Sequence, residues 1–389
     1  TGSHSVNGVA KLHTDILKGK VMSDFYDVFP DKFNNKTNGI THRRWLIKAN
    51  PGLTELINET IGDKWVYQPV ELLKLIRFKN DTIFRDKLAD IKLQNKNQLA
   101  DYIKDETGII VNEESIFDVH IKRLHGYKRQ LMNILHIMYL YNTIKDNPNL
   151  KMVPRTFIFG AKAASSYYFA KRVIKLINSV ADLVNNDDSI NDLIKVVFLE
   201  NYNVSLAEKI IPAADVSEQI STASKEASGT GNMKLMMNGA LTVGTMGGAN
   251  VEIHDMVGDE NIFIFGMTAK EVTDYYNNGG YSARDIYHTD YRIKQVVDQL
   301  VEPGYLTENG EEFKKIYRSL IDDNDQYFVL KDFDSYAEAQ EMINAEYKNR
   351  QQWLKKCLIN IAHSGKFSCD RTISEYAAEI WNIKTSELE

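Results

Sequence analysis

Five short runs rich in β-branched and aromatic residues recur along the chain: "SIFDVHI" (115–121), "RTFIFG" (155–160), "IKVVFLE" (194–200), "ALTVG" (240–244) and "NIFIFG" (261–266). Between them lie longer stretches with helical spacing of apolar positions, among them "KRQLMNILHIMYLYNTI", "YYFAKRVIKLINSVADLV" and "VSLAEKI". A strand that is apolar on both faces must be covered on both faces, and alternation with helices supplies the cover. The expected fold is therefore α/β, a doubly wound parallel sheet. In such a sheet ligands bind beyond the carboxyl ends of the strands, so chemistry is sought in the segments that follow each run. Those segments are unusual: "KRLHGYKRQ", "GAKAA" and "ENYNVS" follow the first three runs, and "EASGTGNMKLMMNGA" (226–240) precedes the end of the fourth.

Around this pattern, residues 39–114 read as mostly helical and 267–389 as further helices, ending in "SCDRTISEYAAEIWNI". The first residues, with Val6, Val9, Leu12 and Ile16 at helical spacing, read as a helix already under way at residue 5. Together with the absence of an initial methionine, this reads as a piece of a longer chain. The expected division is 1–38 as the remnant of a preceding domain, 39–370 as the Rossmann-like domain and 371–389 as a C-terminal helical segment. A net charge of −6 gives no general attraction to polyanions and argues against nucleic acid as a partner. Two cysteines, Cys357 and Cys369, are no disulfide framework and fit a reducing compartment. With no apolar stretch long enough to span a bilayer and no leader, the chain is read as cytoplasmic and free of membranes.

The "EASGTGNMK" stretch sets Gly229 and Gly231 before a helix start that carries Lys234 in about its first turn. Bare backbone and a helix N-terminus make an anion site. The stretch is neither a P-loop nor GxGxxG, and a glycine-capped helix with a solvated lysine is an equal reading on local grounds. An amine beside a phosphate cradle also suits a Schiff base to pyridoxal phosphate. In "KRLHGYKRQ", Lys122, Arg123, Lys128 and Arg129 put four cations in eight residues, able to hold a dianion. A merely solvated basic helix start is disfavoured there, because cations oppose the dipole at an N-terminus. In "NKTNGITHRRWL" (35–46) a plain turn into a helix is the better local reading. The nine histidines are scattered without metal-ligand spacing, and no metal site is expected.

Read together, "GSHSVNGVA", "NKTNGITHRRWL", "KRLHGYKRQ", "ENYNVSLAEKIIPAADVSEQIS", "EASGTGNMK", "NGALTVGT", "GGANVEI" and "SGKFSCDRTI" resemble the α-glucan phosphorylases of glycogen, starch and maltodextrin, over that family's C-terminal half. The resemblance implies a two-domain GT-B-type glycosyltransferase architecture of which this Rossmann-like sheet is the C-terminal domain. It implies that Lys234 holds pyridoxal 5′-phosphate. It further implies that Thr230 and Gly231 hold the cofactor's phosphate with Lys122 as a nearby cation, and that Trp45 and Tyr202 lie against the cofactor. Arg123 and Lys128 match residues that bind the substrate phosphate. Asn38, Tyr127, Glu226 and the backbone of Ala227, Ser228 and Gly229 match residues that hold the glucosyl hydroxyls.

The implied reaction is phosphorolysis of an α-1,4-glucan to glucose 1-phosphate with retained configuration, the cofactor phosphate relaying a proton. The complete enzyme is implied to be a homodimer, and this chain alone is expected to be weakly active or inactive. Three positions differ from the commoner family pattern. Asn203 stands where a basic residue is frequent, Gly126 where an acidic one is, and Gly247 where aspartate is usual. A nucleotide-sugar transferase of the same architecture, or a catalytically silent cofactor-binding half, are the competing readings.

Overall fold

In the computed structural model, which describes residues 2–384, eight strands form two parallel sheets. A small one pairs β1 (Val6–Gly8) with β2 (Phe33–Asn35). The large one is built from β3 (Ile116–Ile121), β4 (Arg155–Gly160), β5 (Ile194–Leu199), β6 (Val216–Gln219), β7 (Leu241–Gly244) and β8 (Phe263–Ile264). Its order is β5-β4-β3-β6-β7-β8, every neighbour parallel. Helices Gln130–Asp146, Tyr168–Asn185, Val204–Ala213, Gly231–Met237 and Asn250–Val257 follow the first five of these strands in turn. Strands β3 and β4 are buried at every position, their polar Asp118, His120, Arg155 and Thr156 included.

All five expected strands are present, and the sheet has a sixth that the apolar runs did not announce. Strand β6 reads Val-Ser-Glu-Gln, and Ser217, Glu218 and Gln219 are all buried at its centre. One oxygen of Glu218 is answered from inside the fold. The Oε1 atom of Glu218 accepts from the Tyr336 hydroxyl at 3.0 Å and from Nε2 of Gln340 at 2.7 Å, both on helix Phe333–Tyr347. Two lysines of the long helix Thr82–Thr107 fix the start of the strand. Lys96 donates to Oδ2 of Asp215 at 2.7 Å and to the Ser115 carbonyl at 2.6 Å. Lys92 donates to the carbonyls of Pro212, Ala214 and Asn238 at 2.7 to 3.0 Å, placing a cation at the carbonyl-rich ends of two helices. Burial lowers the Lys92 amine to about 8.

The N-terminal expectation is corrected. Val6–Gly8 is strand, and the helix runs only over Lys11–Ile16. A Cβ on Gly8 would lie 2.0 Å from Oγ1 of Thr14, so the chain turns back onto its own helix at a position only glycine can fill. At the other end, helix Cys369–Tyr376 continues into a π-helical turn at Ala377–Trp381. The C-terminal helical segment expected over 371–389 falls outside the described residues from 385 onward. Cys357 is buried, and both cysteines are free thiols. Among the described residues no helix is long and apolar enough to cross a membrane.

Asp118 on β3 and Glu218 on β6 share the sheet's interior with Arg155. Burial raises both carboxyls: Asp118 to about 6, partly offset by Arg155, and Glu218 well above its ordinary value, with the charge of Asp118 adding to the rise. A carboxyl raised on folding contributes stability below its unfolded pKa that is lost as pH climbs through the folded value. The thermal midpoint of the wild type should therefore fall relative to that of Glu218→Gln as pH is taken from about 5 to 8. A pH-independent gap between the two proteins would refute this.

Candidate functional site

The chain builds β3, β4 and β5 outward in one direction, returns to place β6 beside β3, and continues outward the other way through β7 and β8. The crevice of such a sheet lies beyond the carboxyl ends of the two central strands. The loop after β3 and the loop after β6 both open there.

After β3 the chain passes Lys122 and makes a tight turn at Gly126–Lys128. It reverses through Arg129, whose backbone is left-handed at φ 59°, into the helix starting at Gln130. After β6 the loop runs from Ile220 to Thr230. A backbone bond from the Thr222 amide to the Tyr127 carbonyl at 2.8 Å stitches the two loops together. Beside that stitch, Oε2 of Glu226 accepts from Nζ of Lys128 at 2.7 Å and Oγ of Ser221 at 2.9 Å, with Nζ of Lys122 at 3.6 Å. Burial alone would raise the Glu226 carboxyl, but Lys122 and Lys128 outweigh it and bring it to about 2. Burial lowers the Lys122 amine, Glu226 opposing the shift. The result is a mostly enclosed triad at the switch point, two lysines around one ionised carboxylate.

The four cations of "KRLHGYKRQ" thus do not act as one group, contrary to the local reading. Lys122 and Lys128 meet Glu226, while Arg123 is exposed. Arg129 is fully buried and turned away, ion-paired to Asp332 at 2.6 Å.

The glycine-rich stretch divides its labour. Gly229, at φ +80°, supplies a backbone that side chains resist. The Ser228 carbonyl beside it accepts from the Ala249 amide at 2.9 Å, and a Cβ on Gly248 would come within 2.6 Å of that oxygen. Ala227 is half-buried in the same loop. Helix Gly231–Met237 follows, and Thr230 gives it no side-chain cap. A Cβ on Gly231 would meet nothing within 4 Å, so the first turn opens onto free space. The Lys234 ammonium position lies 4.2 Å from the centre of the Trp45 ring, and burial lowers its pKa. Asn238 joins the two walls, its Nδ2 donating to the Trp45 carbonyl at 2.8 Å and to the Lys234 carbonyl at 3.0 Å.

Trp45 arrives on a π-helical turn, Arg43–Lys48, at the end of the 35–46 segment, which is therefore more than a plain turn. That segment is sewn to the "SGKFSCDRTI" region. The Ile40 amide donates to the Phe367 carbonyl at 2.8 Å, the Cys369 amide donates to the Ile40 carbonyl at 2.8 Å, and Arg371 donates to the carbonyls of Thr37 and Asn38. Tyr202, after β5, packs over Gly160, and burial pushes its phenol up to about 12.

Other residues of this edge escaped the sequence reading. His125 stacks near Tyr127, Tyr167 and Tyr327, with ring centres 4.6, 5.1 and 6.3 Å away. Tyr167 stands just past "GAKAA", a segment already suspect by position, whereas Tyr327 comes from a distant loop with no local signal. Tyr327 accounts for one departure from the family pattern, because a Cβ on Gly126 would lie 2.5 Å from its ring. Asn203 accounts for another: its side chain accepts from the Leu206 amide at 3.1 Å and caps helix Val204–Ala213. Nothing in the packing explains Gly247, whose Cβ would find ordinary contact distances of 3.5 Å and more. Among the described residues no group of three His, Cys, Asp or Glu side chains could hold a metal ion.

Comparison with known proteins gives these features a context. The profile of a family described as carbohydrate phosphorylase matches residues 1–383. Glycogen phosphorylase of Bacillus subtilis is 60% identical over 383 residues, covering 98% of this chain and 48% of the relative. The human liver form of glycogen phosphorylase is 51% identical over 388 residues, covering 100% and 46%. The rabbit (Oryctolagus cuniculus) muscle form is 49% identical over 385 residues, covering 99% and 45%. The chain spans about half the length of these relatives and matches their C-terminal half.

Because Tyr327 fills the space beside Gly126, Gly126→Ala should destabilise the protein by about 1–3 kcal/mol, the usual cost of overpacking. Tyr327→Leu should recover most of that loss in the double variant. Urea titration of the two single variants and the double tests this coupling, and additive losses would show that the ring is not what excludes a side chain.

Proposed function

The chain belongs to the carbohydrate phosphorylase family, and from that we propose that it is the cofactor- and phosphate-binding half of an α-1,4-glucan phosphorylase. The observation that carries the proposal is the pairing of two features at one switch point. A mostly enclosed Lys122–Glu226–Lys128 triad lies in the loops that lead to the helix bearing Lys234. Burial is the one influence that shifts the Lys234 amine, and it favours the neutral, nucleophilic form.

These residues fit pyridoxal phosphate. The amine lies over an indole face, the helix start beyond Thr230 is uncapped and open at Gly231, and Lys122 is close by in the same group of loops. In this reading Lys234 holds the cofactor, Trp45 and Tyr202 flank it, and Thr230, Gly231 and Lys122 receive its phosphate. When bound, the cofactor supplies a phosphate group that exchanges a proton with the substrate phosphate.

The remaining work falls to the chain. Lys128 and Arg123 bind inorganic phosphate, Arg123 from the exposed rim and Lys128 from the triad. A charge-assisted bond of this kind contributes about 1.5–3 kcal/mol. Asn38, Tyr127, Glu226 and the Ala227–Gly229 backbone hold the hydroxyls of the terminal glucosyl unit. Glu226 suits that part because its depressed pKa keeps it an acceptor throughout the neutral range. The bound phosphate gives its proton to the glycosidic oxygen, and the C1–O bond breaks. A phosphate oxygen then bonds to C1 from the same face, so glucose 1-phosphate forms with retained configuration and the shortened glucan leaves with the proton. The triad concentrates positive charge where two phosphates would otherwise repel each other. The complete enzyme is proposed to act as a homodimer.

Two measurements test this reading. Borohydride reduction of the holoenzyme should fix a pyridoxyl adduct on the "NMK" peptide, and Lys234→Ala should abolish the near-ultraviolet chromophore. An adduct on another lysine would sink the assignment. The 389-residue chain alone, supplied with pyridoxal phosphate, should release little glucose 1-phosphate from maltoheptaose beside the full-length enzyme. Its triad stands on one wall of an open crevice, where aimed charges are weakened by water. Comparable turnover would show that the second wall is not needed for catalysis.

A further inference from the structure

Arg129 is the one cation of its motif that faces away from the crevice, and its contacts are more specific than a core filling requires. Its Nε donates to the Ile220 carbonyl at 2.7 Å, and its Nη1 donates to Oδ2 of Asp332 at 2.6 Å and to the Phe328 carbonyl at 3.3 Å. Asp332 is itself fixed, its Oδ1 accepting from the Met267 amide at 3.0 Å. A Cβ on Gly266, at φ +76°, would lie 2.7 Å from Oδ2 of Asp332, so the end of β8 admits the carboxylate only because it is glycine. One buried guanidinium therefore ties together the loop after β3, the end of β6, the segment after β8 and the 328–332 region.

The residues it ties are the neighbours of the triad. Arg129 directly follows Lys128, and Ile220 directly precedes Ser221, the two residues that donate to Oε2 of Glu226. Neither backbone nor packing needs an arginine here. A glycine would adopt the left-handed conformation without strain, and an apolar side chain would fill the volume without burying a charge. What the arginine alone supplies is a rigid fork that spans the Ile220 carbonyl just after β6 and the Asp332 carboxylate at the start of helix Phe333–Tyr347 at once.

We propose that Arg129, locked by Asp332, is a positioning residue for the phosphate site: it sets the distance between Lys128 and the Glu226 loop and so the geometry in which Lys128 meets phosphate. The proposal rests on the phosphorylase reading above.

The test uses the full-length holoenzyme carrying Arg129→Lys, Lys128→Ala, or both, measured for kcat, for KM with phosphate and with maltoheptaose, and for cofactor absorbance. A lysine keeps the charge and loses the fork. Arg129→Lys should raise KM for phosphate about tenfold, as expected for a misplaced binding group, while KM for maltoheptaose and the cofactor spectrum stay near wild type. On the Lys128→Ala background the same change should add less than about twofold, because the group it positions is gone.

Full multiplication of the two effects would overturn the inference, as would a parallel loss of cofactor and of glucan binding. Asp332→Asn should shift phosphate KM in the same direction, and it carries the comparison if the Arg129 variant fails to fold. If Lys128→Ala changes phosphate KM and neither partner variant does, this inference falls alone. If Lys128→Ala changes nothing, the phosphate assignment falls and this inference with it.

Discussion

Two crossovers that leave neighbouring strands in opposite directions cannot both cover the space above those strands, and the crevice left between β3 and β6 is the constraint on which the rest of this structure depends. Every feature assigned to chemistry borders that gap or is braced against something that does. The sheet needs β6 to lie beside β3 in one register, Asp118 opposite Val216. A four-residue strand of polar composition does not enforce this by hydrophobic burial. Buried polar contacts do it instead: Lys96 on Asp215, Lys92 on the carbonyls of two helix ends, and the Glu218 carboxyl on Tyr336 and Gln340. Each such contact is directional, so a slip of one residue would leave a desolvated charge or polar group without its partner, a penalty far larger than that of a misplaced methyl group.

Charge is distributed along the strands to match. At the start of β6 and within the central strands, cations and carboxyls are paired or protonated, and little field escapes. At the carboxyl ends, two lysines share one carboxylate and Arg123 remains exposed, so the local balance is positive although the chain as a whole carries −6. An anion approaching this edge meets a site whose cations are already held in place, with little reorganisation left to make.

What the sequence disclosed follows from how each residue earns its place. Strands β3, β4 and β5 are legible because apolar β-branched and aromatic residues dominate each of them, and the glycine-rich loop because Gly229 and Lys234 serve local geometry. Strand β6 was not legible, since its partners Tyr336 and Gln340 lie more than a hundred residues away and no periodicity marks a strand satisfied by hydrogen bonds. The same holds for Tyr327 beside Gly126 and for Asp332 on Arg129. The first helix was overextended because Val6 and Val9 sit at helical spacing by coincidence, while Gly8, which forces the chain to turn, carries no apolar signal. Asn203 read as a lost cation when its work is to cap a helix, a role visible only once the helix start is known.

The seam between residues 37–40 and 367–372 joins groups as much as 335 residues apart, and that has a consequence in time. On the ribosome the strands appear in order and the central sheet can assemble as it emerges. The segment carrying Asn38 and Trp45 is made before any strand of the large sheet, yet the strand-like bridge at Ile40 has no second half until Ser368 has been made. Until then the wall that faces Lys234 is held to the finished floor by Asn238 and Glu208 but lacks its seam. The seam closes only after every strand of the sheet has been made, so a nascent chain of this kind acquires a stable sheet before it acquires a fully braced pocket.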